Sequence, residues 1–292
     1  MYPNYNDIIL KKKQTEVIKN NIHITIITLS KNDNKKFLRT LRSINSQKID
    51  LKIEWLIIDG SLKKIQEKKI KLIKKFFNKK HLNSFLIKHI NANEKKQFGI
   101  FTCMNYGKKI AKGKFIMFLN SGDKFFNNNS LKIILEKSLL QSKNNCLIFG
   151  QANIIASKKL NWFFPGNKLC NYEKWIKIFE PNHQAMVVSS NLAEIFEFPT
   201  DMESISDGFW KRLIIENAQE IFYIKIPIIK FFLDGISSKK PTTKEFLKII
   251  NNGKINLLRK IIFLIKYIFP KRLFFLYHFL QKYKSLLVDL IF

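Results

Sequence analysis

The chain has 292 residues, of which 46% are hydrophobic, and a formal net charge of +30. This length and apolar content suffice for one large α/β domain with an appendage. A surface with this charge attracts anions, which include nucleic acid, phosphorylated substrates and an acidic membrane face. The abundance of Lys, Asn, Ile and Phe is also what AT-rich coding produces, so part of the basicity has a second explanation.

The cysteines and histidines exclude several classes of protein. Cys103, Cys146 and Cys170 are scattered without a CxxC pair, which predicts a reducing, cytosolic environment and no zinc site. The five histidines form no HxxxH or HxH pair. The N-terminal sequence MYPNYNDIILKKKQTE lacks the apolar core of a signal peptide. No uncharged apolar run approaches about 18 residues, so we expect no membrane-spanning helix.

The first half of the chain predicts alternating strands and helices. Residues 23–29 form a β-rich run, a helix follows with Asn32 or Asp33 as its N-cap, and residues 53–59 form a second buried strand. A strand, a helix and a strand within this length make a βαβ unit, so we predict an α/β fold with a mostly parallel sheet. The pattern continues with a helix at 65–77, a strand at 85–90, a helix near 102–111, and strands at 115–119 and 147–155.

The second half of the chain is less regular. It predicts a helix at 207–217 and a strand at 220–227 that ends the globular part. Thr242 and Glu245 form a capping box for a further helix. From Lys254 onward the chain is apolar and basic, which predicts amphipathic helices broken by Pro270. We therefore divide the chain into a domain at 1–240 and a basic amphipathic C-terminal appendage at 241–292.

Polar residues follow several of the predicted strands. Ser30, Asp59 and the loop Asn120–Asp123 lie at the carboxyl ends of strands, where open α/β sheets bind ligands. The single carboxylate of Asp123 could help to bind Mg²⁺ or Mn²⁺, which take oxygen ligands and few protein carboxylates beside substrate phosphates. The alternative is a plain solvent-exposed turn, because Ser-Gly-Asp is common turn chemistry.

Other polar positions also allow two interpretations. Asp59 could bind a base or ribose, or could simply belong to a turn. Asn105 lies in a triplet that could be a helix with a tolerated glycine. His183 could be a structural histidine with satisfied hydrogen bonds, and Asp207 could serve only as a helix N-cap.

Six segments occur in a characteristic order along residues 22–238: HITIITLSKNDNKKFLRTLRSINSQ, EWLIIDGS, GIFTCMNYGKKIAKGKFIMFLNSGD, NHQAMVVSSNL, SISDGFWKRLI and FFLDGISS. Together they resemble the family 2 glycosyltransferases with a GT-A fold. The resemblance is greatest to the branch that builds bacterial surface polysaccharides, including colanic-acid-type enzymes. The ordered set is far more specific than any single segment. It implies a GT-A-like, Rossmann-like sheet flanked by helices.

The resemblance implies roles for the matching residues in binding a nucleotide-sugar donor. Asp59 is implied to contact uracil or another base, Asn105 to hold the loop over the nucleotide, and Asn120 to approach the ribose. Thr28 and Ser30 are implied to line the nucleotide pocket.

The same resemblance implies the reacting groups. Asp123 corresponds to the ligand of Mg²⁺ or Mn²⁺, and Asp207 to the general base. His183 and Gln184 correspond to residues near the donor sugar or its diphosphate, on the acceptor side. Inverting sugar transfer needs a base to deprotonate the acceptor hydroxyl and a cation to neutralise the charge on the leaving diphosphate. It also needs donor and acceptor to be held in line.

The chain departs from the family pattern at several places. The branch usually has an acidic residue at the position of Gln97, Asp at that of Thr102, and often Asp at that of Gln151. The usual Thr-Asp-Gly run after Ser61 is replaced by 62–64, Leu-Lys-Lys. These departures leave the donor sugar open, and they leave a catalytically degenerate scaffold as an alternative to an active enzyme.

The resemblance implies two partners: a nucleotide-sugar donor, with UDP as the expected nucleotide, and a saccharide or lipid-linked saccharide acceptor of surface polysaccharide or lipopolysaccharide synthesis. The basic tail predicts peripheral attachment to the anionic cytoplasmic face of the cell membrane. The alternative is that the tail packs on the domain or forms a homodimer. A basic nucleic-acid-binding protein is a further alternative, but no nucleic-acid motif is recognisable, and we expect no nucleic acid partner.

Overall fold

The computed structural model describes residues 22–49, 51–77, 84–141, 143–167, 169–201, 206–234 and 242–251, and positions 260, 261, 264, 267, 268, 282 and 283. The strands are β1 (Ile22–Ser30), β2 (Lys52–Asp59), β3 (Phe85–Asn91), β4 (Phe115–Phe118), β5 (Lys124–Phe125), β6 (Cys146–Ile155), β7 (Asn161–Phe164), β8 (Met186–Ser189) and β9 (Glu220–Phe232). The helices are α1 (Asn34–Asn45), α2 (Lys63–Phe76), α3 (Ile100–Ile110), α4 (Ser130–Leu139), α5 (Tyr172–Ile178), α6 (Ser190–Ile195), α7 (Ser206–Asn217) and α8 (Thr243–Asn251), with a 3₁₀ turn at His183–Ala185.

One half of the sheet has the strand order β3-β2-β1-β4, and every pairing in it is parallel. Parallel neighbours need crossover connections, and α1, α2 and α3 lie in those connections. The register aligns Ser30 with Asp59 and Asp59 with Asn91. The carboxyl ends of three strands therefore lie in one row, on the edge where such sheets bind ligands.

The other half of the sheet mixes strand directions. β8 is antiparallel to β4 and β6, whereas β9 is parallel to β6 and antiparallel to β5. β6 is longer than β8, and its second half pairs with β7 instead. The sheet therefore continues beyond β8 as a sheet extension, which we define as β7, β5 and the halves of β6 and β9 that pair with them.

Apolar side chains cover both faces of the sheet. One core packs α1, α2 and α4 against it and includes Phe37, whose ring stacks on Trp55 with 6.1 Å between centroids. The other core packs α3, α5, α6 and α7 against the opposite face and includes Trp175 and Trp210. Each such large buried side chain contributes about 1.5–3 kcal/mol of hydrophobic stabilisation.

Two local features fix helices next to the sheet. Asp33 caps α1 by accepting a hydrogen bond from the main-chain NH of Lys36 at 2.9 Å. In α3, a Cβ at Gly107 would lie 2.8 Å from Ile58 and 2.9 Å from Ile27. Glycine therefore lets α3 approach β1 and β2 closely.

The predicted fold class is confirmed: the structure is a mixed α/β sheet flanked by helices. The strand predicted at 220–227 continues to Phe232, because the second half of β9 pairs with β6 and β5. The capping box is confirmed, since Thr242 N donates to Glu245 Oε2 at 2.8 Å and α8 begins at Thr243. The sequence analysis did not predict β5, β7, β8, α4, α5 or α6.

Most of the predicted basic tail, including Pro270, lies outside the described residues, as does the predicted boundary at 240–241. In the part of the chain that the structure describes, no helix is both long enough and apolar enough to cross a bilayer.

Candidate active site

β2 ends in a buried ion pair. The Asp59 and Lys69 side chains have no exposed surface, and Lys69 Nζ lies 3.0 Å from Asp59 Oδ1. His89 Nε2 lies 3.1 Å from Asp59 Oδ2, and Ser61 donates both its main-chain NH and its hydroxyl to Oδ1. Lys69 also donates to Ser30 Oγ at 2.7 Å. The carboxylate thus ties the ends of β1, β2 and β3 together, and the contact predicted between Asp59 and a base stays a prediction.

The two charges of this pair respond differently to burial. Burial raises the pKa of Asp59, but the hydrogen bonds from His89 and Ser61 and the charge of Lys69 bring this pKa below its usual value. Burial lowers the pKa of Lys69, although Asp59 opposes that shift. The Asp59 carboxylate is therefore ionised at neutral pH, and a buried anion requires such partners.

Thr28 also lies in the interior. Its hydroxyl donates to Leu119 O at 2.8 Å and accepts from Trp55 Nε1 at 2.9 Å. The residue has no exposed surface. Thr28 therefore holds β1 against β2 and the end of β4, which is a position in the sheet core rather than on the wall of a pocket. Ser30, at 6% exposure, lies at the edge.

The loop Asn120–Asp123 follows β4 and is held rigidly. Thr40 Oγ1 accepts from Gly122 N at 2.9 Å and donates to Asp123 O at 2.7 Å. Gly122 has φ of 110°, a conformation that favours glycine, and a Cβ there would lie 3.2 Å from the Arg39 guanidinium. The loop therefore presents Asp123 in one fixed orientation, against the end of β9.

Gln184 joins this loop to the segment before β8. Its Oε1 accepts from Asn120 N at 2.8 Å, and its Nε2 donates to Asp123 Oδ2 at 2.5 Å. The other carboxylate oxygen of Asp123 accepts from Phe232 N at 2.7 Å. Burial raises the pKa of Asp123 to about 7, against the lowering effect of these hydrogen bonds. Three residues that the sequence singled out, Asn120, Asp123 and Gln184, are thus in direct contact.

Two residues of the Asp123 loop carry oxygen atoms of the type that a hard divalent cation binds. Among the described residues, Asn120 Oδ1 and Ser121 Oγ are buried and have no hydrogen-bond partner. A carboxylate, an amide oxygen and a hydroxyl are ligands that Mg²⁺ and Mn²⁺ accept. Over the same residues, no group of three or more His, Cys, Asp or Glu side chains forms a metal cluster. A cation here would thus depend on Asp123 and neutral oxygens, and its binding stays a prediction.

His183 lies in an aromatic box beside this loop. Its ring is 5.0 Å from that of Phe118, 6.0 Å from Phe198 and 6.4 Å from Trp210 between centroids. Burial lowers the pKa of His183 to about 4, although Asp207 opposes the shift. His183 is therefore neutral at pH 7, and within the described part of the chain its Nε2 has no hydrogen-bond partner.

Asp207 lies in the first turn of α7, close enough to His183 for each group to affect the pKa of the other. Its side chain is 41% exposed, and Lys211 Nζ lies 3.5 Å from Asp207 Oδ2. Burial raises the pKa of Asp207, but several smaller effects, of which the charge of Lys211 is the largest, together bring the pKa below its usual value. The carboxylate is thus ionised at neutral pH and can be reached from solvent.

α3 holds the chain segment that leads into α7. Asn105 Nδ2 donates to Phe198 O at 2.9 Å, and its Oδ1 accepts from Phe198 N at 2.8 Å. One turn later, Lys108 Nζ donates to the carbonyl oxygens of Ala193 and Phe196. The sequence analysis missed Lys108, although its spacing from Asn105 places both on one helix face. Asn105 therefore holds a loop, and whether that loop covers a nucleotide stays a prediction.

Comparisons with known proteins agree with this geometry at the level of the fold. No protein-family model and no curated protein matches the chain. Solved structures of S. aureus TarS do match. With TarS 1–349 in complex with UDP-GlcNAc, the TM-score is 0.59 at 15% sequence identity, over 87% of this chain and 73% of that chain. With TarS 1–349 in complex with UDP, it is 0.55 at 14% identity, over 85% and 71%.

A longer TarS structure matches with a TM-score of 0.55 at 15% identity, over 85% of this chain and 43% of that chain. This chain thus spans less than half the length of that protein. The likeness shows that this chain shares the fold of TarS, a curled α/β sheet flanked by helices. Membership of family 2 and of the colanic-acid-type branch stays a prediction.

Proposed function

We propose that this chain is an enzyme, an inverting glycosyltransferase that moves a sugar from a UDP-linked donor to a saccharide or lipid-linked saccharide acceptor. One observation carries the proposal: Gln184 forms hydrogen bonds with both Asn120 and Asp123. These bonds join the loop Asn120–Asp123 to the 3₁₀ turn that contains His183, which lies near Asp207. The fold shared with TarS, whose complexes contain UDP and UDP-GlcNAc, supports the choice of donor.

The residues present fit a divalent cation, Mg²⁺ or Mn²⁺, held by Asp123 with the buried oxygens of Asn120 and Ser121. When bound, such a cation neutralises the charge that grows on the leaving nucleoside diphosphate. Gln184 and the main-chain NH of Phe232 orient the Asp123 carboxylate. They thereby fix the position at which the donor's phosphates are held.

Asp207 takes the proton from the acceptor hydroxyl. Its partial exposure lets an acceptor reach it, and the nearby Lys211 charge keeps it ionised. Because the neighbouring His183 ring is neutral, it does not form an ion pair with the Asp207 carboxylate that would weaken its action as a base. A positioned base of this kind contributes roughly 10²–10⁴-fold to the rate. Inversion follows because the acceptor oxygen attacks the sugar directly, without a covalent enzyme intermediate.

We further propose that the enzyme works in surface polysaccharide or lipopolysaccharide synthesis, attached to the cytoplasmic face of the cell membrane. Three apolar residues of the tail, Ile261, Leu264 and Ile268, are 44%, 38% and 64% exposed. Their spacing puts them on one helix face, and the surrounding lysines suit an anionic lipid surface. Packing of the tail in a homodimer is the competing explanation.

The test is calorimetric titration with UDP-GlcNAc, with and without Mn²⁺, together with a hydrolysis assay for released UDP. We expect Mn²⁺ to increase donor affinity at least about tenfold, and Asp123→Ala to remove that increase because it removes the carboxylate that we propose binds the cation. Glu136→Ala, which removes an exposed carboxylate from α4, is the control. Equal affinity with and without Mn²⁺ would defeat the metal assignment, and donor binding without any release of UDP would favour the degenerate scaffold.

A further inference from the structure

The sheet extension presents a row of four side chains on one face. Asn153 of β6 is in register with Phe163 of β7 and with Lys230 of β9, and Lys230 is in register with Lys124 of β5. Residues in register on neighbouring strands point to the same face of a sheet. All four are partly exposed. The row runs across the whole extension, away from the strand ends that carry Asp59.

The two lysines of this row lie directly opposite each other. Like charges at such positions destabilise an antiparallel pair. Among the described residues, no carboxylate oxygen lies within 4.0 Å of either Nζ. Asp234, at the end of β9, instead bonds to Arg39 at 3.3 Å and lies 3.5 Å from Lys36. The positive charge of Lys124 and Lys230 is therefore left for a ligand to neutralise.

Aromatic and amide groups lie beside Lys230. Lys230 Nζ lies 4.8 Å from the centroid of the Phe126 ring, and this ring lies 6.3 Å from that of Phe163. Asn153 Oδ1 is buried and has no donor among the described residues, a state that costs free energy until a donor is supplied. Aromatic faces with a few polar groups are typical of small-molecule sites, and the two ammonium groups select for an anion.

The row begins next to the candidate metal loop. Lys124 follows Asp123 directly in the chain, and Phe232, two residues after Lys230, donates its NH to Asp123. The nucleotide residues proposed above, Ser30 and Asp59, lie on the other side of this loop, on β1 and β2. A ligand on the row therefore lies across this loop from Ser30 and Asp59, which leaves this side of the site for an acceptor.

We propose that this row is the acceptor subsite and that it takes a phosphate-bearing saccharide, with Lys124 and Lys230 on the phosphate and Phe126, Phe163 and Asn153 against the sugar. The role of this row as an acceptor subsite rests on the proposed function. The anion site itself stands on the geometry of the row alone, so the two can fail separately.

The test is calorimetric titration with glucose 6-phosphate and with glucose, in saturating UDP and Mn²⁺, which fill the donor site, and again without them. We expect glucose 6-phosphate to bind at least about tenfold more tightly than glucose. Lys230→Gln and Lys124→Gln should each remove most of this difference, and Lys230→Arg should keep it. Lys225→Gln is the matched control, because Lys225 is exposed on the same strand and its loss changes the net charge equally.

Each outcome decides a separate point. An equal loss in Lys225→Gln means that net charge alone attracts the phosphate, and this result overturns the proposal. If Lys230→Gln loses UDP affinity as well as glucose 6-phosphate affinity, the lysines belong to the donor site, and this result also overturns the proposal. If the wild-type chain binds no UDP but shows the predicted losses with glucose 6-phosphate, the anion site stands and the proposed function fails. Melting temperatures close to that of the wild type are expected for both glutamine variants, so that the losses of affinity reflect the lost charge and not unfolding.

Discussion

Asp207 has the exposure and the charge state that a general base needs. Asp207→Asn keeps the shape of the side chain and removes its basicity, so transfer should fall by roughly 10²–10⁴-fold. Donor affinity should not change, because Asp207→Asn leaves the hydrogen bonds of the loop that contains Asp123 intact. The measurement is the initial rate of sugar transfer, with donor affinity from calorimetry.

The matched control for this variant is Glu216→Gln, which removes one carboxylate charge from an exposed position of the same helix. It should transfer sugar at the wild-type rate. If Asp207→Asn also keeps that rate, the base is another residue.

Lys69 is the residue whose loss should most affect folding. Lys69→Met would leave the Asp59 carboxylate buried without its cation, which typically costs about 3–5 kcal/mol. The measurement is the free energy of unfolding from urea denaturation. Lys68→Met, one position earlier on the exposed face of α2, is the control and should change it by less than about 0.5 kcal/mol. If both variants lose a similar amount of unfolding free energy, the Lys69–Asp59 ion pair does not contribute the expected stability.

At the level of elements, α3 positions the segment before α7 through Asn105 and Lys108. Burial lowers the pKa of Lys108 from 10.5 to about 7. Between these two pH values the unfolded chain holds a proton that the folded chain lacks, so the free energy of unfolding rises with pH. The contribution is up to about 1.4 kcal/mol per pH unit.

Lys108→Met should remove this contribution, so that its unfolding free energy rises less steeply than that of the wild type from pH 7 to pH 10. The measurement is urea denaturation at several pH values. Lys109→Met, at the exposed neighbouring position, should keep the wild-type slope. Identical slopes in all three proteins would mean that Lys108 stays charged in the folded state.

The elements that the sequence predicted are those in which apolar residues recur with a clear helical or strand periodicity. β1, β2 and the apolar face of α1 carry such patterns, whereas β5 has two residues and β7 has four, too few to show one. Lys69 could not be predicted as buried because α2 has lysines on most of its surface, and only its tertiary contact with Asp59 distinguishes it. The order of the motifs placed Asp123 and Gln184 at one site, but nothing local predicted their hydrogen bond.

For the molecule as a whole, the basic tail predicts attachment to membranes. Each Lys or Arg near an acidic leaflet contributes on the order of 1 kcal/mol, and the exposed face of Ile261, Leu264 and Ile268 adds apolar contact. We expect the full chain to sediment with liposomes that contain anionic lipid, and a chain ending at Gly253 to stay in the supernatant. High salt should weaken the binding, because it screens the charges. If both forms remain in the supernatant at low salt, the tail is structural.

The pairing of β5 with β9 has a consequence for how the chain folds during synthesis. The parallel strands β1 to β4 are complete once residue 118 has been made, and their crossover contacts are comparatively local. Asp123, in contrast, receives its hydrogen bond from Phe232, which follows it by 109 positions. Closing so long a loop is entropically costly and slow. We therefore expect the loop Asn120–Asp123 to become ordered last, after β9 has left the ribosome, and until then the growing chain holds the parallel half of the sheet without the complete candidate site.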